Sequence, residues 1–352
     1  MRKLLIASCA LAALAACSKP SVSASATTSD GAAAPAASPI KVAGHTDLPG
    51  YTGDFDHFAV DEKDGRLFLA GEDGGALKVF DLKTGALIQS VPGFDAPHSM
   101  LYLPGAGELV VIANAGSRVL DAKTLATKRK LSLPAGADSV GWDEARGRLY
   151  VVTGGKDVKM TTSSLVEIDP ATGKTYGATP FDGDHTEALA VEQSGDRIFI
   201  NQTDKNLLDV IDKKTHAIKV RWKIKEAEQN APLAYDERTR RLFVVTRKPG
   251  KLAILNADTG ETVQAFDAPS RVDQVIWDPD NRRIFVCGGD GHLAVFEQDD
   301  ADHYRELTLV DTPPASKTGI FAPSLNRLFL AASPGESKSM AQLVWLDVDP
   351  RK

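Results

Sequence analysis

Short runs of alternating apolar residues recur along most of the chain, and polar turn residues separate them. In the clearest example an acidic residue, Asp61, is followed five positions later by Arg66 and then by the apolar residues 67–69. Alternation with a period of two predicts β-strands, and the polar gap predicts a tight turn between two of them. A further run ends in Asp81, Thr84 and Gly85, a pattern typical of a turn in which Asp caps backbone N–H groups and Gly supplies a positive φ.

This unit recurs seven times at intervals of 40 to 49 residues. Its first residues are Asp61, Leu103, Asp143, Glu192, Asp236, Asp278 and Ala322. Each unit has room for about four short strands, which is the size of a propeller blade. The last unit ends before a fourth strand, and residues 39–43 can supply it. The sequence therefore predicts an all-β, seven-bladed propeller over residues 40–352, closed by an N-terminal strand that completes the last blade.

The repeated unit resembles that of the YVTN-type (YncE-like) β-propeller repeat family, which belongs with the cytochrome d1 and quinoprotein-like propellers. The resemblance covers about residues 40–348. It lies in the two recurring segments, for example residues 61–69 for the first and Asp169, Thr172 and Gly173 for the turn that ends the second. It implies the fold and leaves the function open, because propellers serve both binding proteins and enzymes. We expect the recurring Arg to pair with the acidic residue five positions before it, in a structural role.

The first residues have the pattern of an export signal. Arg2 and Lys3 precede an apolar run of about 13 residues, which is shorter than the roughly 20 residues of a membrane-spanning helix. Residues 14–17, Leu-Ala-Ala-Cys, resemble the lipobox of bacterial lipoproteins. The resemblance implies cleavage after residue 16, lipidation of Cys17 and, because Ser18 follows, sorting to the outer membrane facing the periplasm. Ordinary signal cleavage with an incidental Cys17 is the alternative.

Residues 17–39 are rich in Ser, Ala, Thr and Pro and are predicted to form a flexible tether. Only Cys287 would remain as a thiol in the body, within an apolar run, so we expect it to be buried and inert. The net charge of -6 argues against a nucleic-acid protein. The mildly basic residues 213–214 and 221–225 keep nucleic-acid binding as a weak alternative. We expect a monomer.

Polar residues collect where the innermost strand of each blade is predicted to begin. This position lies five residues before the first residue of each unit. The residues two positions further along each strand are almost all apolar, so we expect them to form an apolar layer below the polar residues. Together with three neighbours that share the rim, the predicted ligand or metal residues are Asp56, His57, His98, Asp138, His185, Glu187, Asn230, Asp273 and Lys317. They could bind calcium or magnesium through oxygen, zinc or iron through histidine, or a small polar ligand. Alternatively, they line a water-filled channel.

Two loops on the same face, residues 153–164 and 331–342, are long enough to act as a lid or a partner contact. No Cys-x-x-Cys-His haem site, phosphate-binding loop or Gly-x-Ser-x-Gly elbow occurs. The pattern favours a lipid-anchored envelope propeller that binds a small ligand, a metal or a protein without catalysis. The alternative is a metal-dependent lactonase- or lyase-type enzyme that polarises a carbonyl group.

Overall fold

The computed structural model describes residues 38–335 and 338–351, and they form seven four-stranded antiparallel sheets. Residues 1–37 lie outside the described part, and with them the predicted signal peptide, Cys17 and most of the predicted tether. Blades one to three comprise β2 (Phe58–Asp61), β3 (Arg66–Gly71), β4 (Ala76–Asp81), β5 (Leu87–Pro92), β6 (Asp95–Leu103), β7 (Glu108–Ala115), β8 (Arg118–Asp121), β9 (Thr127–Lys130), β10 (Val140–Asp143), β11 (Arg148–Gly154), β12 (Ser163–Ile168) and β13 (Thr175–Phe181).

The remaining sheets follow the same order along the chain. Blades four to six comprise β14 (Thr186–Val191), β15 (Arg197–Gln202), β16 (Leu207–Asp212), β17 (Ile218–Lys223), β18 (Glu228–Asp236), β19 (Arg241–Lys248), β20 (Gly250–Asn256), β21 (Thr262–Asp267), β22 (Val272–Asp278), β23 (Arg283–Gly288), β24 (His292–Gln298) and β25 (Tyr304–Asp311). Blade seven comprises β26 (Thr318–Ala322), β27 (Arg327–Ala332), β28 (Gln342–Val348) and β1 (Ile40–Asp47). Among the described residues, two one-turn 3₁₀ helices, Lys156–Val158 and Pro323–Leu325, accompany these strands.

The predicted seven-bladed propeller and its closing strand are both confirmed. β1 pairs antiparallel with β28, with Ile40 opposite Val348 and Asp47 opposite Gln342. The apolar triplet of each unit forms the second strand and is buried between neighbouring blades; residues 67–69, for example, have no exposed surface. This burial explains why the triplet is apolar on both faces while the outer strands alternate. Within the described residues no helix is long and apolar enough to cross a membrane.

The seam that closes the ring lies between blades seven and one. Trp345 on β28 lies against the backbone of Gly44 on β1, where an added Cβ would stand 2.4 Å from the indole ring. The same indole covers Gly85, in the turn after β4, and the Thr46 hydroxyl donates to the Gly85 carbonyl at 2.7 Å. Two glycines without side chains thus allow one tryptophan to pack across the seam.

The Asp-x-x-Thr-Gly turns have the predicted geometry. Asp81 accepts hydrogen bonds from the backbone N–H and the hydroxyl of Thr84, each at 2.7 Å, and Gly85 has φ +71°. Gly173 has φ +73° in the equivalent turn of blade three. The aspartate thus holds the turn, and the glycine takes the left-handed conformation that other residues adopt at a cost.

The predicted pairing of the recurring Arg with its acidic residue is correct in two blades and wrong in three. Arg66 contacts Asp61 at 2.8 Å, and Arg197 contacts Glu192 at 2.6 Å. The other three arginines contact acids beyond their own turn: Arg148 with Glu167 and Asp169, Arg241 with Asp302, and Arg283 with Glu297. In these blades the acidic residue instead caps its own turn through backbone or short polar side-chain groups. Cys287 is buried as expected, and burial raises the pKa of its thiol.

Candidate functional site

The innermost strands begin around one end of the central channel, here called the upper mouth. Backbone hydrogen bonds between neighbouring blades fix the residues at this end. The His57 N–H donates to the His98 carbonyl at 3.2 Å, and the Asp273 N–H donates to the Lys317 carbonyl at 3.3 Å. The backbone that carries the rim side chains is therefore part of the hydrogen-bonded frame of the ring.

Three rim residues and one further acid meet at a single histidine nitrogen, and we call Asp56, Glu72, His98 and Asp138 the acid–histidine cluster. His98 Nδ1 lies 2.7 Å from Asp56 Oδ2 and 4.0 Å from both Glu72 Oε1 and Asp138 Oδ1. The ligand atoms of Asp56, His98 and Asp138 all lie within 4.8 Å of one another. Blades one, two and three thus deliver these side chains to one point.

His57 lies beside this cluster and holds Asp56 from the other side. Its Nε2 is 3.3 Å from Asp56 Oδ1, and its Nδ1 is 2.8 Å from Gln274 Oε1 of blade six. One carboxylate therefore lies between two imidazoles, and each nitrogen of the His57 ring faces a fixed oxygen.

The pKa values of the cluster show an excess of buried negative charge. Burial disfavours the His98 imidazolium, but the hydrogen bond to Asp56 and the charge of Asp138 outweigh it and raise the pKa of His98 to about 10. Burial likewise opposes ionisation of Asp56, yet the two imidazoles lower its pKa. Burial and the charge of Asp56 raise the pKa of Glu72 and of Asp138 to about 7. These two carboxyls therefore retain protons near neutral pH unless another cation joins them.

The other rim residues form a continuous line of ion pairs on the opposite side of the mouth. We call this line the ion-pair chain, and it comprises His185, Glu187, Arg247, Asp273, Lys317 and Asp54. His185 Nε2 lies 2.6 Å from Glu187 Oε1, and Arg247 Nη1 lies 3.2 Å from the same oxygen. Arg247 also binds one oxygen of Asp273, and Lys317 binds the other at 3.0 Å. Lys317 finally contacts Asp54 at 2.9 Å.

Within the ion-pair chain, neighbouring residues of opposite charge compensate one another. Burial opposes the charge of Lys317, but Asp273 and Asp54 outweigh it and raise its pKa. In the same way His185 and Arg247 overcome burial and lower the pKa of Glu187. Glu187 and Lys317 are therefore held in their charged forms, and these ion pairs give the mouth a charged wall.

Asn230 is the rim candidate that the structure places elsewhere. It is fully buried, and its amide donates to Asn201 Oδ1 at 2.6 Å and to the Leu207 carbonyl at 2.9 Å. The innermost strand of blade five has an irregular register between Asn230 and Leu233, so simple counting along the strand misplaces its side chain. Asn230 thus joins blades four and five and does not face the mouth.

Three residues at the mouth were missed by counting along the innermost strands. Glu72 stands in the turn after β3, Arg247 near the end of β19, and Asp54 in the segment before β2. Arg247 supplies the charge that blade five lacks at Ala231. In the sequence, the only indication that Glu72 and Arg247 reach the mouth is their position at the upper end of the second strand of their blade.

Three cavities surround the two groups of charges. A cavity of about 180 Å³ lies in the channel below the mouth and is lined by the predicted apolar layer at Phe58, Met100, Val140, Leu189 and Leu233. A small one of about 40 Å³ lies beside His98 and Asp138, under Gly155 and Asp157. The third, of about 510 Å³, opens over the ion-pair chain and is lined by Asp54, Asp73, Arg247, Arg271, Asp273 and Lys317 among others.

The long loop of blade three contributes to the mouth. Residues 155–162 connect β11 to β12, whereas residues 72–75 suffice for the equivalent connection in blade one. The Lys156 N–H donates to the Asp184 carbonyl at 2.9 Å, so this loop rests on blade four. It covers the small cavity beside the acid–histidine cluster.

Comparison with known proteins shows the fold and no family. No family model matches the sequence, and no curated protein matches it. Among solved structures 1726 chains match, so the architecture is common and selects no function by itself. One match is a chain in the crystal structure of the mitotic checkpoint complex, with TM-score 0.70 and 16% sequence identity. The alignment covers 87% of this chain and 91% of that chain. The comparison therefore shows a similarity in fold alone.

Proposed function

We propose that this chain is a non-enzymatic binding protein of the cell envelope that holds a divalent cation at the upper mouth of its propeller. The observation that carries the proposal is the convergence of Asp56, His98 and Asp138 within 4.8 Å. Metal–ligand distances near 2.1 Å place tetrahedral ligand atoms about 3.4 Å apart. Displacements of roughly 1 Å in the ligand atoms, reached by side-chain rotation, would therefore bring this group to metal-binding distances. Glu72 could join as a fourth ligand.

The electrostatics favour a cation at this point. Burial raises the pKa of Glu72 and of Asp138 to about 7, and the charge of Asp56 acts in the same direction. A divalent ion would replace the proton on His98 Nδ1 and allow all the carboxyls to ionise. One imidazole with carboxylates suits Mn²⁺, Fe²⁺ or Zn²⁺ better than Ca²⁺, which takes six to eight oxygen ligands.

The arrangement favours binding over catalysis. His57 is the nearest base to the cluster, but its two ring nitrogens already face Gln274 and Asp56. A lactonase- or lyase-type reaction needs a base that is free to take a proton from substrate or water. Holding the ion requires no such group.

Nucleic-acid binding receives less support. Two of the basic residues on the outer strand of blade four stand near acids, Lys219 at 3.7 Å from Asp212 and Arg221 at 3.5 Å from Asp209. Lysines on an exposed edge strand also prevent sheet-to-sheet association, which is a structural role. A protein partner on the upper face is the second candidate, favoured by the long loop at residues 155–162. The occurrence of this fold in the mitotic checkpoint complex supports such a use of a propeller.

Attachment to a membrane through Cys17 is part of the proposal. The sequence predicts a flexible tether between Cys17 and the first described residue; a coil of about 20 residues would span roughly 25 Å, at about 5.5 Å per square root of residue number. Such a tether would hold the propeller near the membrane. Replacement of Cys17 by Ser should move the protein from the membrane fraction to the soluble periplasmic fraction of the producing bacterium.

Calorimetric titration of the full chain with Mn²⁺ and Zn²⁺, after removal of metal by a chelator, tests the cation site. We expect one ion per chain for the unmodified protein and at least a tenfold loss of affinity in Asp138→Asn. Asp300→Asn is the matched control, because Asp300 pairs with His303 at 2.9 Å on the surface without further convergent ligands. Stoichiometric binding that is equally weakened by both substitutions, or no binding at all, would refute the site.

A further inference from the structure

The lower half of the central channel contains two adjoining cavities. The cavity of about 180 Å³ below the upper mouth meets a larger one of about 530 Å³, and both have Phe58, Leu233 and Gln274 in their walls. The larger cavity extends past the last residues of β22 and β26, where Pro279 and Pro323 are exposed at its edge. The two cavities therefore form a passage that opens at the end of the channel opposite the upper mouth, here called the lower mouth.

The wall of the larger cavity is mainly apolar and carries aromatic rings. Ile276, Ile320, Tyr235 and Trp277 line it and are only partly buried. The Trp277 ring packs on Phe243, with the ring centroids 5.0 Å apart. The volume lies within the range of about 300–1,000 Å³ that is typical of small-molecule sites. An apolar ligand that covers this wall would remove apolar surface from water, which favours binding.

Two serine hydroxyls stand at the narrow upper part of the passage. Ser99 and Ser139 line the cavity of about 180 Å³, and only 4% and 6% of their surfaces are exposed. Neither hydroxyl has a hydrogen bond to any residue that the structure describes. The Ser139 carbonyl accepts the Val152 N–H at 2.9 Å, which holds this backbone in place. Buried polar groups normally have hydrogen-bond partners, so two free hydroxyls at one cavity point to a polar partner inside it.

The charged groups at the same cavity have no capacity left for a ligand. Both ring nitrogens of His57 already face oxygen atoms. Both oxygens of Asp273 already bind cations, one from Arg247 and one from Lys317. A charged ligand group would lose its water there and gain no partner of opposite charge, which is costly. The polar end of a ligand beside the two serines is therefore uncharged.

We infer that the lower channel binds an elongated, uncharged molecule with an apolar, ring-containing body and one terminal hydroxyl group. The body lies against Ile320 and Trp277 in the larger cavity, and the terminal hydroxyl donates to one of the two serines and accepts from the other. Gln274 and Trp277 mark the two levels, so three residues of strand, or about 10 Å, separate them. The ligand enters from the lower mouth, and its binding does not require the proposed cation site.

Titration of the full chain with 4-phenyl-1-butanol tests this inference, and 4-phenylbutanoate is the charged analogue of similar length. Calorimetry should show one molecule of the alcohol per chain, bound about tenfold or more tightly than the carboxylate. Binding should also change the tryptophan fluorescence, and this change should be absent in Trp277→Phe. The other three tryptophans line neither of the two cavities.

Variants separate the polar end of the site from its apolar part. Ser99→Ala combined with Ser139→Ala should weaken binding of the alcohol by about fivefold or more and leave that of the carboxylate unchanged. Ser117→Ala is the matched control, because Ser117 is equally buried but its hydroxyl donates to the Ala113 carbonyl at 3.2 Å. Ile320→Trp should fill the larger cavity and abolish binding.

Three results would each overturn the inference. They are equal affinities for the alcohol and the carboxylate, affinity for the alcohol that does not change when both serines are replaced, and binding that persists in Ile320→Trp. No binding of the alcohol at all would overturn it too. Absence of Mn²⁺ binding would instead refute the proposed function and leave this test unaffected.

Discussion

Substitution of two equivalent glycines tests the packing of the seam that closes the ring. Gly85 and Gly173 occupy the same position of the same turn, at φ +71° and +73°. An added Cβ at Gly173 meets no atom within 4 Å, whereas at Gly85 it would lie 2.5 Å from Cζ3 of Trp345. The pair therefore separates the cost of backbone conformation from the cost of a steric clash.

The expected magnitudes follow from these two terms. A left-handed conformation costs a residue with a Cβ about 1–2 kcal/mol, and the lower entropy of the unfolded chain returns about 0.4–1 kcal/mol. Gly173→Ala should therefore destabilise the protein by roughly 0.5–1.5 kcal/mol. Gly85→Ala should cost a further 1–3 kcal/mol, because the indole ring is packed on both Gly44 and Gly85 and must shift.

Equilibrium unfolding in urea, followed by far-UV circular dichroism, measures both variants. Trp345→Leu provides the control, because a smaller side chain at the seam should remove the extra penalty of Gly85→Ala and leave that of Gly173→Ala unchanged. The coupling between positions 85 and 345 should then be about 1 kcal/mol or more. Equal losses of stability in Gly85→Ala and Gly173→Ala would show that Trp345 does not pack as described.

Other predictions concern buried charge and anchoring. Lys213 and Asp143 form a fully buried pair at 2.7 Å. Lys213→Met should lower the free energy of unfolding by about 3–5 kcal/mol, because it leaves an unpaired buried carboxylate. Adding Asp143→Asn should recover part of this loss. A loss below about 1 kcal/mol in Lys213→Met, as expected for an exposed ion pair, would contradict the burial of the pair. Burial raises the pKa of Asp209 to about 6, so the native state holds this proton more tightly than the unfolded state. Its contribution to stability is therefore present below about pH 4 and is lost as pH rises to 6, and Asp209→Asn should be more stable than the unmodified protein by about 1–3 kcal/mol at pH 7.5 and equal to it near pH 4. Asp212 is the control, because hydrogen bonds from Thr215 lower its pKa and Asp212→Asn should show the opposite sign; the same pH dependence in both variants would refute the assignment. Cys17→Ser should abolish the acyl mass increment measured by mass spectrometry on the N-terminal peptide, and an unchanged mass would exclude lipidation there.

The fold could be predicted from the sequence because each blade repeats the same local pattern. The apolar triplet marks the second strand in all seven units, an acid and an Arg flank the preceding turn in five of them, and β1 fills the one missing strand. The assignment to a particular propeller family stays a prediction, since no family model matches. Repetition encodes a shape, and side chains at the rim are free to vary between blades.

The site could be predicted only in part. Asp56, His98 and Asp138 are brought together as expected, because regular strands start at the same height in the ring. An irregular register moves Asn230 away, and no local pattern reveals such an irregularity. Glu72 could not be found by position along the innermost strands, because a turn places it there.

The pairing of β1 with β28 has a consequence for the order of events during synthesis. Ile40 pairs with Val348, so its partner is made roughly 300 residues later, or about 15–60 s at 5–20 residues per second. During that interval six sheets can assemble while the seventh is incomplete and β1 has no partner strand. The exposed edge of β1 is then open to wrong pairing, and the exposed polar residues of this strand, which include Lys41 and His45, reduce that risk.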